Sequence, residues 1–184
     1  MTATETHLDG CFILNPTVFP DERGHFFESF NEARFQEMTN TNTRFVQDNQ
    51  SFSKRGVIRA LHAQAGEYAQ AKLVRVLHGE VLDVAVDARP ESTTFGQHIA
   101  LKLSAENRLQ LFIPRGFLHG FVSLSETAVF FYKCDNYYNK ESESGVLYSD
   151  PSLAIDWLLP DRELIITNKD KDLPLFEDVY KSIQ

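Results

Sequence analysis

Short runs of Val, Leu, Ile and Phe recur along most of the chain, each bounded by Gly, Pro, Ser or Asn. Runs of that length and composition predict strands. They cover residues 11–15, 25–30, 56–64, 72–77, 81–86, 98–103, 109–113, 120–124 and 128–133. Residues 19–24, 54–56, 78–80 and 104–107 have the Gly, Pro, Asn and Asp content of turns, and 66–71 that of a loop. One helix interrupts the rhythm. Asn31 is a good N-cap, Glu32 suits the first turn, and Phe30 and Phe35 stand at staple spacing. Phe35 and Met38 form its buried stripe, and it ends after about two turns, near Thr39 and Asn40. The polar run 45–51 is either a capped loop or a strand whose polar face lines a pocket. The tail, 150–184, holds the lone Trp157, several turns and a short helix near 177–183. Repeated short strands without an internal repeat or linker predict one mainly β domain over residues 1–184, a sandwich or jelly roll.

Composition narrows the function. An apolar share of 42% over 184 residues is enough for one real core. A net charge of −8 argues against a general nucleic-acid binder, which needs a basic face. It leaves room for an anionic small molecule, because a pocket on an acidic protein can be locally basic. No run approaches the roughly 20 apolar residues of a membrane span, and residues 1–10 carry no apolar signal segment. The expectation is a cytoplasmic protein that does not engage a membrane. Cys11 and Cys134 could bridge, but a Cys-poor chain of this kind is expected to keep both reduced.

The chemistry gathers around the apolar run Gly56-Val57-Ile58-Arg59-Ala60-Leu61-His62-Ala63-Gln64, with Lys72 shortly after and His119 following Pro114-Arg115-Gly116. Small β-barrels called cupins often hold a metal on such strands, through two histidines one residue apart, a glutamate and a later histidine. Here His62 takes the first place, but Gln64 takes the second; Glu67 lies nearby and His119 falls at the right interval. A neutral amide is a weak ligand for divalent metals, so neither a metal nor another cofactor is expected. A metal-dependent dioxygenase stays as the alternative of another class, and a binding module without activity as a third. Without metal, a strand histidine is either a core residue satisfied by backbone or a base poised near neutral pH. His62 recurs with Arg59, His119 and Lys72, the last of which could stabilise an enolate, and with the tyrosines of Phe130-Phe131-Tyr132-Lys133 and Tyr137-Tyr138, which could deliver a proton. That set suits proton abstraction beside a carbonyl, with Arg59 and Arg23 to hold phosphates. One conflict arises: in an ideal strand Arg59 and His62 face opposite ways. A bulge between them, a different pocket edge for Arg59, or a neighbouring subunit's site would each resolve it.

These residues resemble the dTDP-4-dehydrorhamnose 3,5-epimerase family, deoxysugar epimerases of the cupin class. The resemblance spans residues 12–172. It is carried by Phe19-x-Asp21-x-Arg23-Gly24-x-Phe26-x-Glu28, Gln47-Asp48-Asn49-x-Ser51, Gly56-Val57-x-Arg59-x-Leu61-His62-x-Gln64 and Lys72-x-Val74-Arg75. It continues through Asp83-Val84-Ala85-Val86-Asp87-x-Arg89, Pro114-x-Gly116-Phe117-x-His119-Gly120-Phe121 and Tyr132-Lys133. It implies a mainly β, cupin-type jelly-roll barrel with a short helix in its N-terminal half and a loop and helix tail. It also implies a homodimer that needs no cofactor and inverts C3 and C5 of a dTDP-linked 4-keto-6-deoxyhexose. His62 would be the base, Lys72 the enolate stabiliser, Tyr132 the acid and Asp170 the carboxylate partner of His62, with Asp172 as the fallback. Arg23, Glu28, Gln47, Asp48, Asn49, Arg59, His119, Tyr138, Glu143 and Lys169 match substrate-contacting positions. Where the family has Gly and an aromatic, this chain has Ala60 and Ala63, changes that bear on the sugar accepted. A 3-epimerase or ketoisomerase acting on a related sugar is the near alternative.

Overall fold

The apolar runs pair into two antiparallel sheets in the computed structural model, which describes residues 1–180. With strands numbered in chain order, the six-stranded sheet runs β1 (Thr2–Glu5), β2 (Phe12–Asn15), β10 (Gln110–Ile113), β7 (Lys72–His78), β12 (Thr127–Cys134) and β5 (Gln47–Lys54). The five-stranded sheet runs β13 (Glu143–Gly145), β6 (Ile58–Gln64), β11 (Phe117–Ser123), β8 (Glu80–Asp87) and β9 (His98–Ser104). A separate hairpin joins β3 (Phe19–Asp21) to β4 (Gly24–Phe26).

Alternation along each strand assigns the residues to layers. Val74, Val76, Leu111, Ala128 and Phe130 of the larger sheet meet Val81, Ala85, Leu103, Phe117 and Phe121 of the smaller one in the central core. The opposite parity of β8 and β11 (Leu82, Val84, Val86, Leu118, Val122) faces a second core, closed by Val146, Leu153, Trp157 and Phe176 of the tail. Strands β8 and β11 are therefore buried on both faces, which is why they read as largely apolar runs, interrupted by Asp83 and His119. Helix α1 (Glu32–Thr39) covers the outer face of the six-stranded sheet, where Phe35 packs with Leu14, Leu73 and Phe112. Asn31 caps it as expected, its side chain accepting from the Arg34 N–H, and Asn40 ends it in the left-handed region at φ 50°. Its buried positions are Phe35 and Thr39, and Met38 is only half-buried.

The polar run after the helix is a strand, β5, at the sheet edge. The expected strand over 25–30 stops at Phe26, and β11 starts earlier than expected, at Phe117. Strand β1 has no signal in the sequence: Thr2–Glu5 is polar and mostly exposed, and only pairing with β2 defines it. The tail supplies two short helices, α2 (Asn168–Lys171) and α3 (Phe176–Tyr180). Positions 181–183 of the expected terminal helix lie outside the described residues. Cys11 and Cys134 are free and buried, and burial pushes the Cys11 thiol up to about 12.

The conflict over Arg59 and His62 has a local answer. On β11 His119 pairs with His62 and Phe121 with Arg59, so Ala60 and Leu61 together oppose Gly120 alone. This bulge turns Ala60 and Leu61 into the tail-side core and leaves Arg59 and His62 on the inner face. It depends on Gly120 having no side chain. A Cβ there would stand 2.4 Å from the Ala60 Cβ and 2.9 Å from the Arg59 carbonyl oxygen. The methyl of Ala60 is thus accommodated by the bare position across from it. Gly120→Ala is expected to cost about 1–3 kcal/mol by overpacking, read as a lowered unfolding midpoint, and to cut activity further by rotating Arg59 and His62. A variant with unchanged stability and rate would show that the bulge tolerates a shift.

Candidate active site

The inner faces of the two sheets part to enclose a cavity of about 640 Å³. Strand β6 contributes Arg59 and His62, and β11 contributes His119 and Phe121. From the opposite sheet come Lys72 of β7, Phe130 and Tyr132 of β12, and Asn49 and Ser51 of β5. Glu143 of β13 and Lys169 and Asp170 of α2 close one side. A neighbouring recess of about 380 Å³ shares His62, Lys72, Tyr132, Glu143 and Lys169, and adds Ala63, Gln70 and Tyr138.

His62 is held by the tail. Its Nε2 lies 2.9 Å from Asp170 Oδ1, and Asp170 is itself buried, with Thr167 capping its N–H. A carboxylate only accepts, so it fixes the proton on Nε2 and leaves Nδ1 with a free lone pair. Burial pushes the His62 pKa below the usual histidine value, and Asp170 opposes that shift. The ring is therefore neutral, and basic, at neutral pH. Asp172, the alternative partner, is exposed as the C-cap of α2.

Lys72 and Tyr132 share one face of the six-stranded sheet, where β12 pairs Cys134 with Lys72 and Tyr132 with Val74. Burial lowers the Lys72 ammonium pKa and raises that of the Tyr132 phenol. Neither terminal group has a hydrogen-bond partner among the described residues, and both line the cavity. Tyrosine thus stays an acid here, and the lysine amine has hydrogen-bonding capacity to spare. Arg59 touches Ser53 Oγ at 3.3 Å and has no carboxylate partner among the described residues. A histidine, an unpaired lysine amine, a phenol and a guanidinium with no carboxylate partner can move a proton beside a carbonyl in an anionic ligand.

Toward the mouth, Lys169 pairs with Glu143, and the Tyr138 hydroxyl donates to Glu143 Oε1 at 2.9 Å. Lys169 holds the Glu143 carboxyl below its usual value, and Glu143 pushes the Tyr138 phenol up. Gln47 does not line the cavity but ties two residues that line it or its recess, donating to Asn49 Oδ1 and accepting from the Tyr138 N–H. Three expected residues lie elsewhere. Asp48 points to the other face of β5 and pairs with Lys133. Glu28 meets Arg34 and Asn31 at the start of α1. Arg23 sits at the hairpin tip, pairs with Asp21 and is 85% exposed. Of the residues weighed as metal ligands, Gln64 spends its carbonyl on the Asn139 N–H, and Glu67 is exposed in a 3-10 turn.

The sequence reading did not single out Ser51, Phe121 or Phe130 of the cavity wall, nor a carboxylate behind it. Asp83 is buried on the inner face of β8 and bonds His119 at 2.8 Å. A carboxylate in the middle of an apolar strand was the available signal.

The chain matches the dTDP-4-dehydrorhamnose 3,5-epimerase family profile over residues 5–178. It is 51% identical over 180 residues to the dTDP-4-dehydrorhamnose 3,5-epimerase of Salmonella typhimurium, with 96% of each chain covered. Among solved structures it is similar to the dTDP-4-dehydrorhamnose 3,5-epimerase from Elizabethkingia anophelis, with a TM-score of 0.95, 56% identity and 98% of each chain covered. It is also similar to the dTDP-6-deoxy-D-glucose-3,5-epimerase of Legionella pneumophila in complex with dTDP-4-keto-L-rhamnose. That match has a TM-score of 0.92 and 46% identity, and covers 100% of this chain and 94% of the other.

Proposed function

The chain belongs to the dTDP-4-dehydrorhamnose 3,5-epimerase family and has that isomerase activity, and we propose that His62 is its base, Tyr132 its acid and Lys72 its enolate stabiliser. One observation supports the assignment most. His62 stands on the five-stranded sheet and Tyr132 on the six-stranded sheet, and the two line a single cavity. Inversion needs a proton removed from one side and returned from the other, and groups on facing sheets meet that need. In this reading His62 Nδ1 takes the proton from C3 and, in a separate step, from C5. Both carbons flank the C4 ketone, so one ammonium, Lys72, stabilises both enolates as their charge grows. Arg59, Asn49 and His119 hold the diphosphate and sugar, and Glu143, Lys169 and Tyr138 form the side toward the nucleotide.

The active unit is a homodimer in which the hairpin of one subunit completes the site of the other. Arg23 and Glu28 do not line the cavity of their own chain. Phe19 and Phe26, paired across the hairpin, are 59% and 70% exposed, and the edge strand β5 leaves Phe52 58% exposed. Apolar rings this bare favour a covering partner.

Two measurements test these proposals. Turnover of dTDP-4-keto-6-deoxyglucose in D₂O is expected to place deuterium at both C3 and C5 with inversion; label at one carbon, or none in folded protein, would overturn the stepwise reading. Mixing Arg23→Ala subunits with His62→Asn subunits, each inactive alone, is expected to restore about one quarter of wild-type activity, since one site in each mixed dimer is intact. No recovery after verified exchange would place Arg23 outside the partner's site.

A further inference from the structure

Asp83 has no part in the chemistry above, yet the fold places it beside that chemistry. It is 0% exposed on β8, in a run otherwise made of apolar residues. A buried carboxylate loses its hydration, and only its interactions offset that loss. Asp83 Oδ1 accepts from His119 Nε2 at 2.8 Å, while Oδ2 has no hydrogen-bond partner among the described residues.

His119 is consequently constrained on several sides. Its backbone pairs with His62 on β6 and Ala85 on β8. Its ring stacks on Phe130 with centroids 5.9 Å apart and planes at 23°. Asp83 engages one ring nitrogen, and the other, Nδ1, has no hydrogen-bond partner among the described residues, although His119 lines the cavity. The arrangement repeats that of His62, whose Nε2 also meets a buried aspartate. Two histidines, paired in register, thus each have one nitrogen assigned to a carboxylate and the other without a hydrogen-bond partner among the described residues, and both line the cavity.

We propose that Asp83 is a positioning residue of the epimerase: by holding the proton of His119 on Nε2, it makes Nδ1 an acceptor for a hydroxyl of the sugar. The proposal rests on the cavity being the epimerase site with His119 in contact with substrate. A carboxylate can only accept, so the direction of this bond is fixed, and with it the face that His119 offers. Such an acceptor selects a ligand carrying a hydroxyl where His119 meets it, and it orients the ring carbons from which His62 takes protons.

The test combines kinetics on dTDP-4-keto-6-deoxyglucose with ¹⁵N NMR of the histidine side chains. Wild-type His119 is expected to be protonated at Nε2 and unprotonated at Nδ1. Asp83→Asn keeps the volume but supplies an amide donor, so the proton is expected to move to Nδ1 and kcat/KM to fall about 10–100-fold, the usual scale for a group acting through its neighbour. In an His119→Asn background, Asp83→Asn is expected to have no further effect. A proton on Nδ1 in the wild type would overturn the proposal. So would full activity in Asp83→Asn while His119→Asn is impaired, an outcome that leaves the reading of His119 standing. Wild-type kinetics in His119→Asn would remove both. A double variant much worse than His119→Asn would show that Asp83 acts through Lys72, whose ammonium also feels its charge, and would overturn the route through His119.

Discussion

His62→Asn is expected to lower kcat by about 10²–10⁴-fold, the range for loss of a general base, while the protein stays folded. Asparagine is the informative replacement because Asp170 is buried and would lose its partner if the position became alanine. An asparagine amide can still donate toward Asp170, so the structural part of the interaction survives and the basic part does not. A histidine kept only for packing would give the opposite result, with reduced stability and near-normal turnover in whatever remains folded. Exposure argues against packing alone, since the His62 side chain is 40% exposed to the cavity. The pH profile adds an independent check. Burial lowers the His62 pKa, so the neutral base persists to lower pH than an ordinary histidine would. The acid limb of kcat/KM is therefore expected below about 6.5, the reference histidine value, and to be absent from the residual activity of His62→Asn.

Tyr132→Phe is expected to separate the two halves of the reaction. The substitution removes one hydroxyl that has no hydrogen-bond partner among the described residues, so stability should change little. Burial raises the pKa of the phenol, which keeps it protonated and able to donate at neutral pH. Without it, His62 can still take a proton and return one to the same side. Deuterium should then enter the sugar from D₂O with little inversion, and formation of the epimerised product should fall by about 10²–10⁴-fold. Both rates reduced together would mean that Tyr132 supports proton removal as well. Normal epimerisation would mean that another group is the acid.

The strand rhythm made the two-sheet architecture legible, because alternation and turn chemistry act locally. Helix α1 was legible for the same reason, through Asn31 and the Phe30 and Phe35 pair. Strand β1 was not, since Thr2–Glu5 buries little and exists through pairing alone. The cavity set of His62, Lys72, Tyr132, Arg59 and His119 could be assembled from motifs, and the fold does bring these residues together. Motifs could not say why Arg59 and His62 share a face, because the cause is a register shift against Gly120 on another strand. Nor could they choose between Asp170 and Asp172. That choice is made by the Thr167 cap, which turns Asp170 inward and leaves Asp172 at the exposed end of α2.

The docking of α2 has a consequence for how the site can lose its competence. Every strand of both sheets is complete by Gly145, whereas Asp170 lies 25 residues further on, in a four-residue helix. A local opening of that helix would leave the strands paired and the cavity in place, yet free the imidazole from its fixed tautomer. The tail that seals the outer face of the five-stranded sheet is thus also the part of the fold on which the state of His62 depends.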